Sequence, residues 1–117
     1  LLVTDRFNLS FEMLETTPVL SPDRHIAYLD LEKLHYPLVL RNWEKGDWFM
    51  PLGMKGKKKL SDFMIDKKIP LNLKKRIMVL LSKDSIAWVA GHRIDDRFKI
   101  DSKTRKILKI IYQELDD

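Results

Sequence analysis

Hydrophobic and polar residues alternate with a period of two near the start of the chain. In the segment FNLSFEM, Phe7, Leu9, Phe11 and Met13 fall on one side and the polar residues between them on the other. Successive side chains of a β-strand point to opposite faces, so residues 7–13 are predicted to form a half-buried strand. Shorter apolar stretches predict further strands at residues 26–29, 38–40, 48–50 and 107–112.

The middle of the chain combines a hairpin pattern with a short helical one. Residues 77–81 and 86–89 are apolar and flank the polar segment SKDS, which predicts a β-hairpin. Leu60, Phe63 and Met64 recur at helical spacing and predict a short amphipathic helix.

Local signals predict where the helical segments begin and end. Ser61 is predicted to cap the first helix, with Asp62 in its first turn, and Pro70 is predicted to stop it. Asn72 is predicted to cap a second helical turn that runs to Arg76. The segment RIDDRF has no clear period and is assigned at most one helical turn.

Many short strands with one or two small helices indicate a β-rich α+β domain. The 117 residues match one ordinary domain, and a hydrophobic content of 44% is enough to fill its core. Cysteine is absent, which excludes disulfides and thiolate metal sites. The longest apolar run, residues 77–81, is far shorter than the roughly 20 residues of a membrane-spanning helix, so no membrane partner is expected.

The net charge of +5 is concentrated in one part of the chain. Residues 55–76 contain nine basic and two acidic residues, a net charge of +7, which leaves −2 for the rest. Gly53 and Gly56 allow a close approach of the backbone to a partner, and the lysines lead into a predicted helix. This local excess favours binding of a nucleic acid, while a solvated lysine surface and an acidic protein partner remain alternatives.

Nucleotide and metal sites find little support. A Walker loop requires Ser or Thr directly after its lysine, and here Lys58 follows Lys57. The three histidines lack the paired spacing of metal ligands and are expected to be surface or packed side chains: His25, His35 and His92.

The carboxylates are scattered and do not suggest a catalytic pair. Asp47 lies in the predicted turn EKGD, where it is a candidate partner for Arg41. Trp43 and Trp48 flank this turn and are candidates for exposed stacking surfaces, whereas Trp88 in IAWVAG is expected to be buried.

The segments YLDLEKL, YPLVLRNWEKGDWFMPLGMKGKKKLSDFMIDKKIP and WVAGHRIDDRFKI follow one another along the chain. Together they resemble the C-terminal domain of bacterial tRNA(Ile)-lysidine synthase, most specifically at residues 37–70. The resemblance implies a β-sandwich core similar to a domain of the phenylalanine tRNA synthetase β subunit. It also implies a boundary, with residues 1–26 as a connecting segment containing a strand and residues 27–117 as a tRNA-binding accessory domain.

The enzymes of this family use ATP to activate the wobble cytidine of an isoleucine tRNA with a CAU anticodon, which lysine then attacks. Their ATP site is an S-G-G-x-D-S loop, and this sequence contains none. The resemblance therefore implies a non-catalytic, cytoplasmic fragment without its own cofactor, since ATP and lysine are substrates of the parent enzyme. The implied partners are the acceptor-stem side of isoleucine tRNA and the N-terminal catalytic domain, and the oligomeric state stays open.

The basic window and the resemblance agree on the region that would contact RNA. Neutralising Lys57, Lys58 and Lys59 is expected to weaken tRNA binding and to flatten its salt dependence. Two alternatives are a protein-docking module, which would use the tryptophans near the turn and the strand at residues 7–13, and catalysis within this chain. The candidate RNA-binding residues are Arg41, Lys55, Lys57, Lys58, Lys59, Lys67, Lys68, Lys74, Lys75 and Arg76.

Overall fold

Two four-stranded sheets form the framework of the protein. The computed structural model describes residues 2–3 and 6–115, and its strand pairings are antiparallel. The first sheet contains β1 (Leu2–Val3), β2 (Phe7–Leu14), β3 (Ile26–Asp30) and β10 (Ile107–Glu114), in the order β1-β2-β10-β3. The second contains β4 (Leu38–Asn42), β7 (Met78–Ser82), β8 (Ser85–Val89) and β9 (Arg93–Ile94), in the order β4-β7-β8-β9.

A small ribbon and four short helical segments complete the fold. The ribbon pairs β5 (Trp48–Phe49) with β6 (Lys58–Lys59). The two α-helices are α1 (Leu60–Asp66) and α2 (Leu71–Lys74), and 3-10 helices lie at Leu31–Lys33 and Asp96–Phe98. The predicted β-rich α+β class with a sandwich core is confirmed, as are the predicted strands and the hairpin of β7 and β8. Neither α-helix combines the length and apolar character that crossing a bilayer requires.

One hydrophobic core lies between the two sheets. Leu9 and Leu29 of the first sheet and Trp88 of the second are almost completely buried there. The Trp88 ring meets the Tyr112 ring edge-to-face, with centroids 6.3 Å apart, and Phe7 meets the other side of this cluster. The predicted burial of Trp88 is confirmed.

A second core covers the opposite face of the second sheet. Phe63 of α1 and Phe49 of β5 pack edge-to-face there, with ring centroids 5.1 Å apart. Val79 and Val89 face this core, whereas Leu80 and Trp88 face the first. Strands β7 and β8 are therefore covered on both faces, which explains why their sequence is a continuous apolar run and not an alternating pattern.

Strand β2 differs from its predicted burial. Phe7 and Leu9 are buried, but Phe11 is 43% and Met13 65% exposed. The alternating pattern determines which side chains share a face of the strand. How many of these side chains are buried depends on how far the packed layer extends over that face. The pairing of β2 with β10 runs from Phe7 to Leu14, so this strand is a full member of the first sheet. The boundary predicted between residues 26 and 27 stays a prediction about the parent protein.

The predicted helix caps are wrong. Helix α1 begins at Leu60, its N-cap is Lys59 without a side-chain cap bond, and Ser61 lies inside the helix. The Leu60 amide donates to the Asp47 carbonyl oxygen at 2.9 Å, so the turn before β5 supplies the acceptor that a cap would otherwise provide. Asp62 does lie in the first turn, as predicted.

The second helical segment also starts earlier than predicted. Pro70 is the N-cap of α2, and Asn72 lies within the helix. Helix α1 has already ended at Asp66, so Pro70 begins the next element and does not stop the previous one. Proline suits a helix start because the first amides of a helix have no intrahelical partner.

Candidate nucleic-acid interface

The glycine- and lysine-rich segment at residues 51–59, called here the lysine loop, leaves β5 and returns along β6 into α1. Phe49 before it and Leu60 after it are completely buried, which anchors both ends. Gly53 and Gly56 have φ of +82° and +77°, a backbone conformation that other residues adopt only with strain. The loop therefore projects from a fixed base and exposes most of its side chains.

Two of the loop lysines have intramolecular partners. The Lys57 ammonium lies 4.3 Å from the centroid of the Trp48 ring, a cation–π contact. Lys58 forms an ion pair with Asp66 of α1 and is only 23% exposed in its side chain. Lys55 and Lys59 are exposed and form no ion pair within residues 6–115. The charge that the loop offers to a partner is thus smaller than its lysine count.

A second cation reaches the Trp48 ring from a distant part of the sequence. The Arg97 guanidinium carbon lies 5.0 Å from the ring centroid. Asp95, which is completely buried, holds Arg97 with side-chain hydrogen bonds of 2.9 and 3.0 Å and also accepts from the Met50 amide at 2.8 Å. Asp95 therefore ties Arg97 to the strand end from which the lysine loop departs.

Arg41 pairs with Asp47, the partner suggested by the sequence. Two hydrogen bonds of 2.9 and 3.0 Å join the guanidinium to the carboxylate in a bidentate arrangement. Burial raises the pKa of Asp47, but the hydrogen bonds from Arg41 and from the Glu44 amide outweigh it and hold that pKa below its ordinary value. The hydrogen bonds with Asp47 in turn raise the pKa of Arg41, so this predicted RNA-binding residue has a structural partner.

A concave basic surface, called here the basic cleft, opens on the other side of α1. It has a volume of about 470 Å³ and lies between the end of α1, α2, the turn before β9 and the turn before β3. Its cationic residues come from four separate segments of the sequence. They are Arg24, Lys67, Lys68, Arg76 and Arg93.

A smaller cleft of about 390 Å³ adjoins the basic cleft and shares Arg76, Tyr112 and Glu114 with it. Arg6 and Lys75 add two further cations. Of the described residues that line the two clefts, seven are Lys or Arg and one, Glu114, is a carboxylate. This imbalance produces a positive potential that the concave wall concentrates.

Tryptophan and asparagine side chains at the end of β4 hold α2 beside this cleft. The Trp43 indole donates to the Lys74 carbonyl oxygen at 2.7 Å, and the Asn42 amide donates to the Lys75 carbonyl oxygen at 3.0 Å. Trp43 is therefore a support for α2 and not an open stacking surface, whereas Trp48 is 37% exposed.

The charge of the cleft comes from lysine and arginine and not from His92. Burial lowers the pKa of His92 from 6.5 to about 4, and the nearby Arg24 and His25 act in the same direction. His92 is consequently neutral at pH 7. The described residues hold no group of three or more His, Cys, Asp or Glu side chains able to bind a metal ion.

The family of the chain follows from a match over residues 38–112, which contain β4 to most of β10. These residues match the family model described as the TilS substrate C-terminal domain. The chain belongs to this family. The match includes the whole lysine loop and the Lys67, Lys68, Arg76 and Arg93 part of the basic cleft.

Curated relatives of this TilS C-terminal domain are named tRNA(Ile)-lysidine synthase. The protein of Parabacteroides distasonis is 50% identical over 103 residues, which are 86% of this chain and 23% of the relative. The protein of Dehalococcoides mccartyi is 42% identical over 82% of this chain and 20% of the relative. The chain thus spans about a quarter or less of the length of these relatives.

Solved structures confirm the fold of the TilS C-terminal domain. A crystal structure described as the TILS C-terminal domain superposes with a TM-score of 0.81 at 23% identity, covering 95% of this chain and 86% of that one. An N-terminal fragment of the phenylalanyl-tRNA synthetase β-subunit from Pyrococcus horikoshii gives a TM-score of 0.62 at 16% identity, covering 75% of this chain and 28% of that one. The resemblance seen in the sequence is confirmed for both the family and the fold.

The TilS C-terminal domain separates the predicted RNA-binding residues into groups. Lys55, Lys57, Lys58 and Lys59 belong to the lysine loop, and Arg41 lies near it on β4. The basic cleft and its smaller neighbour collect another group: Lys67, Lys68, Lys75 and Arg76. Lys74 lines neither cleft.

Sequence reasoning missed four residues of the clefts. Arg6, Arg24, Arg93 and His92 are isolated from other basic residues or surrounded by acids along the chain, so no local charge count marks them. Arg24 precedes β3 of the first sheet, and Arg93 belongs to β9 of the second sheet. The two residues come together at the end of α1 only when both sheets have formed. An alternative signal was the turn AGHR, in which Gly91 has φ of +77° and places His92 and Arg93 at the edge of the cleft.

Proposed function

We propose that this chain is a tRNA-binding, non-catalytic domain of a tRNA(Ile)-lysidine synthase. The observation that carries the proposal is the convergence of Lys and Arg residues from separate sequence segments on one concave surface with a single carboxylate among its described lining residues. Such a surface suits the phosphates of a nucleic acid, because lysine and arginine neutralise phosphates without reading bases. The name of the relatives supplies the kind of nucleic acid.

The proposed role in the parent enzyme is to position the substrate. In that enzyme, ATP and lysine are substrates of the catalytic domain. The domain formed by the present chain holds isoleucine tRNA by its acceptor-stem side. The proposed location is the cytoplasm. An A-form helix has a deep and narrow major groove, so contacts here are expected on phosphate and ribose. Holding the tRNA at a second site raises the local concentration of its wobble base at the active site.

Fluorescence anisotropy with labelled isoleucine tRNA tests the proposal directly. The chain is titrated at several salt concentrations, and an unstructured RNA of equal length serves as the control. We expect tighter binding of the folded tRNA and a steep loss of affinity with salt, since each neutralised phosphate releases counterions. Absence of binding at low salt contradicts the proposal.

Charge-neutral variants assign the binding to the two basic regions. Replacing Arg24, Lys67 and Arg93 by Gln removes three charges from the basic cleft, and replacing Lys57, Lys58 and Lys59 removes three from the lysine loop. We expect the cleft variant to lose about 30-fold in affinity and the loop variant about threefold, because two of the loop cations already have partners. If both variants bind tRNA as tightly as the unsubstituted chain does, an RNA-binding role for either surface is contradicted.

A protein-docking role is the second candidate, and the exposed apolar end of β2 favours it. Phe11 and Met13 are 43% and 65% exposed, although Phe7 and Leu9 on the same face of β2 are buried. The occupant would be the remaining part of the parent enzyme. Replacing both residues by Ser in the isolated chain is expected to leave tRNA affinity unchanged, and the same change in the parent enzyme is expected to increase protease cleavage between the domains.

A further inference from the structure

Four cations of the basic cleft have no carboxylate partner among the described residues. Within residues 6–115, Arg24, Lys67, Lys68 and Arg93 form no ion pair. Arg93 lies on β9 and pairs with Val89 of β8, so the backbone position of Arg93 is fixed by the sheet. Cations without carboxylate partners are prepared for an anionic ligand, because no existing ion pair has to break.

The size of the cleft selects the kind of nucleic acid that enters it. Its volume of about 470 Å³ and the 390 Å³ of its neighbour lie in the range of ligand pockets, which is roughly 300 to 1,000 Å³. A double helix can touch the rim of such a cleft but cannot enter it. A single strand can enter, and the two clefts adjoin at Arg76, Tyr112 and Glu114, which line both of them.

The phenylalanine and tyrosine rings that line the cleft offer no open surface for bases, and its exposed aromatic ring is the imidazole of His25. The rings of Phe63 and Tyr112 belong to residues that are only 1% and 5% exposed. Lys67 and Arg93 lie 5.8 and 5.7 Å from the Phe63 ring centroid, so both cations contact this ring. Recognition here therefore depends on phosphate charge, which is the same for every base.

We infer that the basic cleft binds an unpaired RNA strand by its phosphates, with the bases directed outward. The inference rests on the proposed tRNA-binding function and adds the structural state of the RNA segment. In a tRNA the unpaired 3′ end next to the acceptor stem is a segment of this kind. The lysine loop, with its exposed lysines, contacts the neighbouring helix in this arrangement, so a folded tRNA engages both regions and an unstructured RNA engages the cleft alone.

Anisotropy with a pair of hairpin RNAs tests the inference. One hairpin is blunt, and the other carries four unpaired uridines at its 3′ end. We expect about tenfold tighter binding of the extended hairpin, since a few additional phosphate contacts produce a change of this size at moderate salt. An extension of four adenosines is expected to give the same gain, because the bases do not contact the cleft.

Two charge-matched variants locate the gain. Lys67→Gln with Arg93→Gln removes two cations from the cleft, and the tenfold gain is expected to disappear. Lys103→Gln with Lys106→Gln removes two exposed cations that precede β10, at the opposite end of that strand from Tyr112. This control is expected to keep the full gain, and thermal melting verifies that both variants are folded.

The outcomes separate the inference from the proposed function. If the chain binds tRNA but the extension gives no gain, or the gain survives in the cleft variant, the inference is wrong and the proposed function stands. A gain that differs more than about threefold between uridine and adenosine shows that bases are read and also overturns it. Competition by polyglutamate as strong as that by the extended RNA assigns the cleft to an acidic protein and overturns it as well. Failure of all RNA probes, tRNA included, removes the proposed function itself.

Discussion

The lysine loop and the basic cleft both carry many cations, but they differ in what surrounds those cations. Around the loop, Lys58 pairs with Asp66, Arg41 with Asp47, and Arg97 with the buried Asp95. In the cleft, Glu114 is the single carboxylate among the described lining residues. A cation held by a carboxylate has part of its charge neutralised and must leave that ion pair to bind a ligand, whereas a cation without one is available directly. Charge density along the sequence therefore overstates the loop and understates the cleft.

The largest expected effect concerns Asp95, which anchors the loop side. Asp95→Ala is expected to destabilise the protein by about 3 kcal/mol, because it leaves the Met50 amide and the Arg97 guanidinium without their buried partner. Thermal unfolding should show a decrease in Tm of about 10 °C. Asp96→Ala is the control, since Asp96 pairs with Lys99 at the surface. A Tm of the Asp95 variant equal to that of the control contradicts the structural role of the loop-side ion pairs.

The second prediction concerns the cleft side and its response to acid. Folding lowers the pKa of His92 to about 4 from its ordinary value of 6.5, so the unfolded chain takes up a proton first as pH falls. The contribution of His92 to the free energy of unfolding is therefore present above pH 6.5 and decreases below it, by about 2 kcal/mol between pH 7 and 5.

Urea denaturation of the parent chain and of His92→Gln at pH 7, 6 and 5 measures this loss. The variant is expected to lose less stability, whereas His35→Gln, which changes an exposed histidine, is expected to behave like the parent. An identical pH dependence in the His92 variant contradicts the assignment of a half-buried neutral imidazole to the wall of the cleft.

The third prediction separates the structural from the ligand-binding use of Arg41. Arg41→Gln is expected to cost about 1 kcal/mol in stability and to change tRNA affinity less than about twofold. The pKa of Asp47 is lower in the folded protein than in the unfolded chain. Its contribution to the free energy of unfolding is therefore present above its ordinary pKa and is lost as pH falls through the lowered pKa. Melting curves at a series of pH values should show the variant and the unsubstituted chain approaching the same Tm as pH falls below the ordinary pKa of Asp47. A large loss of RNA affinity without destabilisation would place Arg41 with the cleft residues.

The smallest expected effect compares one carboxylate from each region. Glu114→Gln removes the carboxylate of the cleft and is expected to tighten tRNA binding about threefold. Asp66→Asn releases Lys58 in the loop and changes the net charge by the same amount, but a gain below about twofold is expected. Anisotropy at low salt measures both. A larger gain from the Asp66 variant reverses the ranking of the two regions.

The sequence predicted the strands well because their signals are local. The alternating residues of β2, the hairpin of β7 and β8 and the apolar face of α1 depend on neighbours a few positions away. The cap at Ser61 was predicted wrongly because the acceptor for the Leu60 amide is the Asp47 carbonyl, which only the folded ribbon supplies. The cap at Asn72 was predicted wrongly because Pro70 is the N-cap and the helix already includes Leu71. Phe11 and Met13 show the same limit, since their exposure depends on how far the second sheet extends.

The candidate site divides in a similar way. The lysine loop was visible in the sequence because its charges are close together and its glycines mark the turns. Arg24 and Arg93 lie far from each other and from Lys67 along the chain, so their cleft exists only after the sheets have paired. The ion pair of Lys58 with Asp66 was likewise invisible to a count that treats every lysine as equal.

The position of β10 has a consequence for the synthesis of the protein. This strand lies between β2 and β3 and bonds to both, although it is the last described strand in the sequence. During synthesis, β2 and β3 leave the ribosome before β10 and have no strand partner in this position until it emerges. The basic cleft is also incomplete until its lining residues Tyr112 and Glu114 are in place. A message truncated before Ile107 yields a chain with two open strand edges, which is a substrate for chaperones and proteases. Translation must therefore be completed through β10 before the first sheet and the basic cleft can form.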